Sequence, residues 1–545
     1  MSYKNGSAGV SDPGKGDAGR IPEMAVKAAG RTIYFLYSAV LIWILSVVLF
    51  MNRLETAEWV RKQFLVPNWL LLAIVIAILC LIRLPGHGLI FLKRFDIRAA
   101  SLILFVFQLF ISYNIYFETG WDAGENIMTD ALLLAHGEPL TEVAAGYYSM
   151  YPNNILILFI EKTIFSILQR AGVVSFPAAL YVFVVLQCAL STLTGYLLYR
   201  IIKEMNPELH SDGAAIFGWF LYVLLIGISP WLVVVYTDSM SLILPVSMVY
   251  LYLKVLKKGR FAILYWGLAC VLAYWGYRLK ATAAIIFIAI MITEVFRTGA
   301  GAVLKKGQER KKILSGFALK TALLILVFLL SGAVYTGIAG HIGFAIDREK
   351  EFTFRHYLMM GWNKDSTGTF NYEDVDRSMF INDYEYRNDE DMTEAKRRIR
   401  EMLPFGVIPF QAGKTLVNFH DGTFSFGIEG NFYMQTFESR HAVTDFLRSI
   451  FWDTGKNYRY LALAEQAGWI TVLFLCLMDG ILNRKRKPDA VRCMILIAIM
   501  GVFLFVELFE ARARYLYIYV PVFIISASSA AAVWTGQTGK LQDMQ

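Results

Sequence analysis

Apolar residues dominate stretches near 33–50, 68–84, 99–117, 176–199, 213–229, 238–256, 261–277, 281–297, 318–338, 461–478, 492–508 and 515–534. A hydrocarbon core about 30 Å thick is crossed by about 20 apolar residues in a helix. The pattern therefore predicts an all-α polytopic membrane protein with about twelve transmembrane helices. The run from Asn154 to Leu168 is shorter and carries Glu161 and Lys162 in its middle. It reads as an amphipathic helix lying on the membrane surface. No internal repeat stands out, so the pattern gives no support to an inverted-repeat transporter.

The polar segments between these runs set the organisation. Residues 1–32 are Gly-rich and unpatterned and read as a flexible tail. Residues 33–340 form a transmembrane module whose first outer loop is 118–175, acidic in its front half. Residues 341–460 form a second outer loop, far longer than a connector, and such loops are usually structured or functional. It is acid-rich until Asp391, then Met392–Leu403 reads as a helix, followed by Pro404, Pro409 and an aromatic-rich return. Residues 461–535 hold the last spans and 536–545 a short tail.

Composition agrees with this plan. Of 545 residues 57% are hydrophobic and 18% charged, which excludes an ordinary soluble enzyme and a disordered chain. The net charge of +8 is a topology signal rather than a nucleic-acid signal. Lys93, Arg94 and Arg98, Arg200 and Lys203, Lys257, Lys258 and Arg260, Lys305 to Lys312, and Arg484 to Lys487 all fall in loops on one side. The opposite loops 118–153 and 230–237 contain no Lys or Arg. The positive-inside rule then puts both termini in the cytoplasm, and counting 154–168 as a span would invert every later loop. The five cysteines lie in apolar stretches without a CxxC and read as small buried hydrophobes. The seven histidines show no zinc-ligand spacing.

Five polar groups break the pattern on the outer side. Asp122, with Glu125 three residues on, opens a short amphipathic helix that Gly137 and Pro139 stop. Its plain role is a helix cap of the capping-box kind, and its other role is an interfacial functional carboxylate. Tyr147, Tyr148 and Tyr151 with Asn153 and Asn154 suit an aromatic belt or the wall of a sugar site equally. Asp238, in Tyr236-Thr237-Asp238, is a second outer acid and again a candidate cap. Two carboxylates at one mouth suit shared acid–base work or a divalent cation. Arg278 and Lys280 are outer cations, placed either to snorkel to headgroups or to capture a phosphate. Glu510, Arg512 and Arg514 form the last cluster, a local Glu–Arg pairing or a bidentate phosphate contact. Gly406 followed by Gly413-Lys414-Thr415 is no P-loop, since six residues separate the glycines and no strand pattern precedes them.

Trp121-Asp122, the helix ending at His136-Gly137, the Tyr151-Pro152 turn and the short helix after it resemble the first outer loop of GT-C-type polytopic glycosyltransferases. The nearest likeness is to bacterial mannosyl- and aminoarabinosyltransferase-like proteins that use lipid-phosphate sugars. Tyr148-Ser149-Met150-Tyr151-Pro152-Asn153-Asn154 is similar to a variant in Gram-positive membrane proteins of that superfamily. Pro152-Asn153 departs from the Pro-Pro pair common in better-known relatives. The likeness is most specific over about 115–200. Asp238, Lys280-Ala281-Thr282 and the Glu510 to Tyr515 stretch resemble the superfamily's later outer positions.

The resemblance implies inverting transfer of a sugar from a polyprenyl-phosphate donor to a cell-envelope acceptor on the extracytoplasmic face. Asp122 would act as general base or orient the acceptor. Asp238 would share the acid–base work or help hold a divalent cation, and Tyr148, Tyr151, Asn153, Asn154, Arg278, Lys280, Glu510, Arg512 and Arg514 would bind substrate. A polysaccharide polymerase or ligase has a similar outline. A transporter or lipid flippase would need polar residues at mid-bilayer, where the predicted spans hold few.

Overall fold

The computed structural model describes residues 17–51, 66–83, 95–206, 212–257, 259–439, 441–484 and 489–534. Lys93, Arg94, Lys258, residues 485–487 and the expected tails 1–16 and 536–545 lie outside the described residues. Each of the twelve apolar runs is helical over most of its described length. Among the described residues eight helices are long and apolar enough to cross a membrane: Ala28–Phe50, Ile97–Ile115, Phe176–Met205, Thr237–Leu256, Ala281–Leu304, Gly307–Gly340, Tyr458–Leu482 and Ala490–Leu508. The runs Asn68–Arg83, Gly213–Gly227, Ala262–Leu279 and Val520–Trp534 form shorter or less apolar helices. The first helix starts at Asp17, inside the segment expected to be a tail, because Met24 to Ala29 are good helix formers that extend the span backwards.

Position in the bundle follows from what each helix can bury. The last helix, Val520–Trp534, is apolar all round with small Ser526 to Ala530 in its second half, and it is buried at the centre. Small residues let helices approach closely. A Cβ on Gly218 would stand 2.4 Å from Ser528 Oγ, so that crossing requires glycine. Tyr458–Leu482 packs between this central helix and the first span. Gly307–Gly340 lies at the edge, with Leu329 and Leu330 exposed as a lipid-facing surface would be.

The long segment 341–460 is folded. It contains helices Phe354–Gly361, Tyr372–Met379, Tyr384–Met402, Val407–Phe419 and Ala442–Phe451. The helix expected at Met392–Leu403 begins at Tyr384. Asp383 accepts a hydrogen bond from Tyr386 N at 2.7 Å and caps it. The acids that looked like loop are matched to arginines, Asp389 to Arg355 at 2.8 Å and Glu390 to Arg377 at 3.5 Å. One strand of this segment, Tyr433–Thr436, pairs antiparallel with Phe117–Thr119, which follows the span Ile97–Ile115. Phe117 stands opposite Thr436, and a bulge falls between Glu118 and Thr119. The pairing brings the long segment onto the start of the first loop.

The helix expected on the membrane surface spans Ile155–Arg170 and packs on Thr129–His136. Its Glu161 is fully buried, and neither carboxylate oxygen has a hydrogen-bond partner. It therefore does not lie on a wetted polar face. Burial raises its pKa well above the usual range.

Candidate functional site

Trp121 has φ 63°, a left-handed backbone that turns the chain sharply after the strand. Asp122–Met128 then form a widened π-type helix that runs into Thr129–His136 and ends at Gly137, φ 82°. The stop at Gly137 is the one the sequence predicts. The cap is not. Trp121 occupies the cap position, and Asp122 is the first helical residue, with Asn126 Nδ2 donating to its Oδ1 at 3.3 Å. Gly124 packs so tightly against the preceding strand that a Cβ would stand 1.4 Å from Thr119 O. Asp122 is only partly covered. Burial raises its pKa above the usual carboxylate range, while Arg514, the Tyr147 hydroxyl, Arg512 and Asn126 pull it back.

Asp238 is also no cap. It lies inside the turn Thr237–Ser241, fully buried, and Lys280 Nζ stands 2.6 Å from its Oδ1. That ion pair corrects the idea of two carboxylates sharing acid–base work or a divalent cation: Asp238 is buried and its charge is met by Lys280. Lys280 also sits 4.7 Å over the Tyr515 ring. Among the described residues no group of three or more His, Cys, Asp or Glu is arranged to hold a metal.

The C-terminal cluster joins the other two. Arg512 Nε meets Glu510 Oε1 at 2.6 Å, and Tyr515 donates to Glu510 Oε2 at 2.8 Å. Arg512 Nη1 and Arg514 Nε both reach Glu429 Oε2 at 2.9 Å. The Arg514 guanidinium stacks on Trp121 at 4.0 Å, and it also feels Asp238. Arg512 keeps the Glu510 carboxyl below its usual range against the upward push of burial. Behind the cluster, Lys414 Nζ donates to the carbonyls of Gly361, Glu507 and Phe509 at 2.7, 2.9 and 2.7 Å. This buried ammonium straps the long segment to the chain just before Glu510 (burial lowers its pKa to about 7).

Some of these groups border a cavity of about 530 Å³, whereas Arg512 and Glu429 stand behind its wall. Arg278, Lys280, Arg514, Glu510 and Asn153 lie on its wall with Tyr236, Tyr357, Phe352 and Phe505. Asp122 is not on that wall; its neighbours Tyr236 and Arg514 are. Arg278 has no ion pair or hydrogen bond among the described residues. Its guanidinium rests on Tyr335 at 4.2 Å, with Tyr274 and Tyr277 within 5.8 Å. Arg514 Nη1 also lacks a hydrogen-bond partner.

The expected tyrosine wall is only partly present. Tyr151 packs on the cavity residue Phe352 at 5.4 Å. Tyr148 points into the core and donates to Asp130 Oδ2 at 2.9 Å, because a fully buried hydroxyl takes the nearest acceptor. Asn154 is buried and donates to the Tyr147 hydroxyl at 2.6 Å. Tyr148 and Asn154 therefore do not line the cavity.

A family model described as "Conserved hypothetical integral membrane protein" matches residues 25–533. The chain belongs to that family. No curated protein and no solved structure matches it. Membership and the apolar helices make the chain an integral membrane protein in contact with lipid. Sequence reasoning missed Glu429, Tyr357 and the strap by Lys414. Glu429 carried one faint signal, a lone acid in the aromatic-rich return 424–433. Among the described residues the cavity wall offers an anion the guanidinium of Arg278, while the partly covered carboxylate of Asp122 lies off that wall, next to Arg514.

Proposed function

We propose that the protein is a membrane glycosyltransferase of the GT-C type, with twelve crossings, both termini in the cytoplasm and the cavity on the extracytoplasmic side. It transfers a sugar from a polyprenyl-phosphate donor to a cell-envelope acceptor. The observation that carries this reading is the cavity whose cations are balanced by carboxylates except at Arg278. A lipid phosphodiester brings one negative charge, which that guanidinium would hold. Resemblance of the first loop supports the same chemistry.

In the proposed step the acceptor hydroxyl oxygen attacks the anomeric carbon. The anomeric C–O bond to phosphate breaks, and its electron pair leaves on the phosphate. Asp122 takes the hydroxyl proton, and a base with raised pKa suits that task. Lys280 and Arg514 stabilise charge growing on the leaving phosphate, already oriented by Asp238 and Glu429. Asp238 is thus a positioning residue.

The test is reconstituted protein incubated with polyprenyl-phosphate sugars and envelope acceptors, read by mass spectrometry of the product. Wild type should form a glycosidic bond and Asp122→Asn should not, while still inserting. Solute movement across liposomes without a glycosidic bond would overturn the reading.

A further inference from the structure

The helix Ala442–Phe451 has three distinct faces. At 100° per residue Thr444, Leu447 and Phe451 share one side, and all three are buried. Asp445, Arg448 and Ser449 share a polar side. Val443 and Phe446 share a third with half-buried Ile450, and they are 49% and 59% exposed. Two large apolar side chains left in water on a ten-residue helix are costly.

The span that seats this helix carries a lipid-facing surface. The span Ile97–Ile115 exposes Ile103, Val106, Phe110 and Tyr113 along its length. The short helix is seated on the end of that column. Thr444 Oγ1 donates to Asn114 Oδ1 at 2.7 Å, Arg448 Nε to Asn114 O at 3.1 Å, and Trp452 Nε1 to Ile115 O at 2.8 Å. Arg448 lies 4.4 Å over the Trp452 ring. An amphipathic helix with an Arg and a Trp at its end is the composition that settles at a membrane–water boundary.

We infer that Ala442–Phe451 lies in the interface of the bilayer, with Val443 and Phe446 against acyl chains and Asp445 in water. The lipid surface is therefore fixed at the level of Asn114. The strand Phe117–Thr119 leads on from that level to Trp121. This inference rests on exposure and seating alone and does not depend on the proposed transfer reaction.

The test uses the full chain in nanodiscs whose lipids carry a diazirine in the acyl chain. After photolysis, peptides from 442–451 should carry lipid adducts, as those from Ile97–Ile115 should. The helix Tyr372–Met379, with its exposed Tyr372, should carry none. Labelling of the span without labelling of 442–451 would overturn the inference. As a second measurement, nitroxides at Val443→Cys and Phe446→Cys in a Cys80→Ser background should collide more with oxygen and less with an aqueous nickel chelate than a nitroxide at Phe380→Cys. Equal nickel access would overturn it. So would loss of access to both, which marks a protein contact such as a second copy of the chain.

Discussion

Lys280 Nζ lies 2.6 Å from Asp238 Oδ1, and both side chains are out of water. Neither residue is close to the other in the chain, and each was a candidate for direct chemistry. Their pairing makes the lysine a fixed charge on the cavity wall and the aspartate its support.

Removing one partner leaves a buried charge uncompensated, at a cost of about 3–5 kcal/mol. Lys280→Met and Asp238→Asn should each lower the melting temperature strongly. The double variant should recover part of the loss, giving a coupling energy in a double-mutant cycle. Additive losses would show that the pair does not form.

Arg278→Gln should behave in the opposite way. Among the described residues the side chain makes no hydrogen bond to lose, and its ring contacts are worth about 0.5–2 kcal/mol. Thermal unfolding should therefore change little. Binding of a polyprenyl phosphate should weaken markedly, and Arg278→Lys should restore part of it. Unaltered affinity in Arg278→Gln would move the anion site elsewhere.

Asp122 has a raised pKa from burial. The folded state thus holds its proton to a higher pH than the unfolded chain does. Its ionisation disfavours the fold at neutral pH, and stability from this group returns as pH falls through the folded pKa. Asp122→Asn should melt at the same temperature as wild type or higher at pH 7. The difference should shrink in the ordinary carboxylate range. Transfer by wild type should fall with acidification at a pH above that range, because the base must be ionised.

Gly124→Ala and Gly146→Ala form a contrast. The first Cβ would stand 1.4 Å from Thr119 O, while the second meets nothing within 4 Å. Overpacking costs about 1–3 kcal/mol and sometimes more. Gly124→Ala should lower the melting temperature and abolish transfer. Gly146→Ala, in the helix Glu142–Met150, should leave melting unchanged or raise it, since alanine favours helix by about 1 kcal/mol. Similar behaviour of the two variants would contradict the packing of Gly124.

Helices were legible because hydrophobic length is a local property. All twelve runs are helical, and the stop at Gly137 follows from its left-handed backbone. The role of a polar residue was not local. Asp122 and Asp238 both looked like caps, yet each faces a partner distant in sequence. Tyr148 looked like its neighbour Tyr151, but one helical turn decides which hydroxyl meets Asp130. The start of Tyr384–Met402 was hidden because its acids Asp389 and Glu390 are matched by Arg355 and Arg377, which only the folded segment brings near. Glu429 had no spacing relation to Arg512 or Arg514 to reveal it.

Trp452 donates to Ile115 O across 337 residues of chain. At about 5–20 residues per second, a ribosome needs roughly 20–70 s to make that interval. Throughout it the first loop has its strand unpaired and Asp122 lacks its arginines. The site is thus among the last parts of the molecule to come into being, and any quality control on the nascent chain meets the loop before it meets the finished pocket.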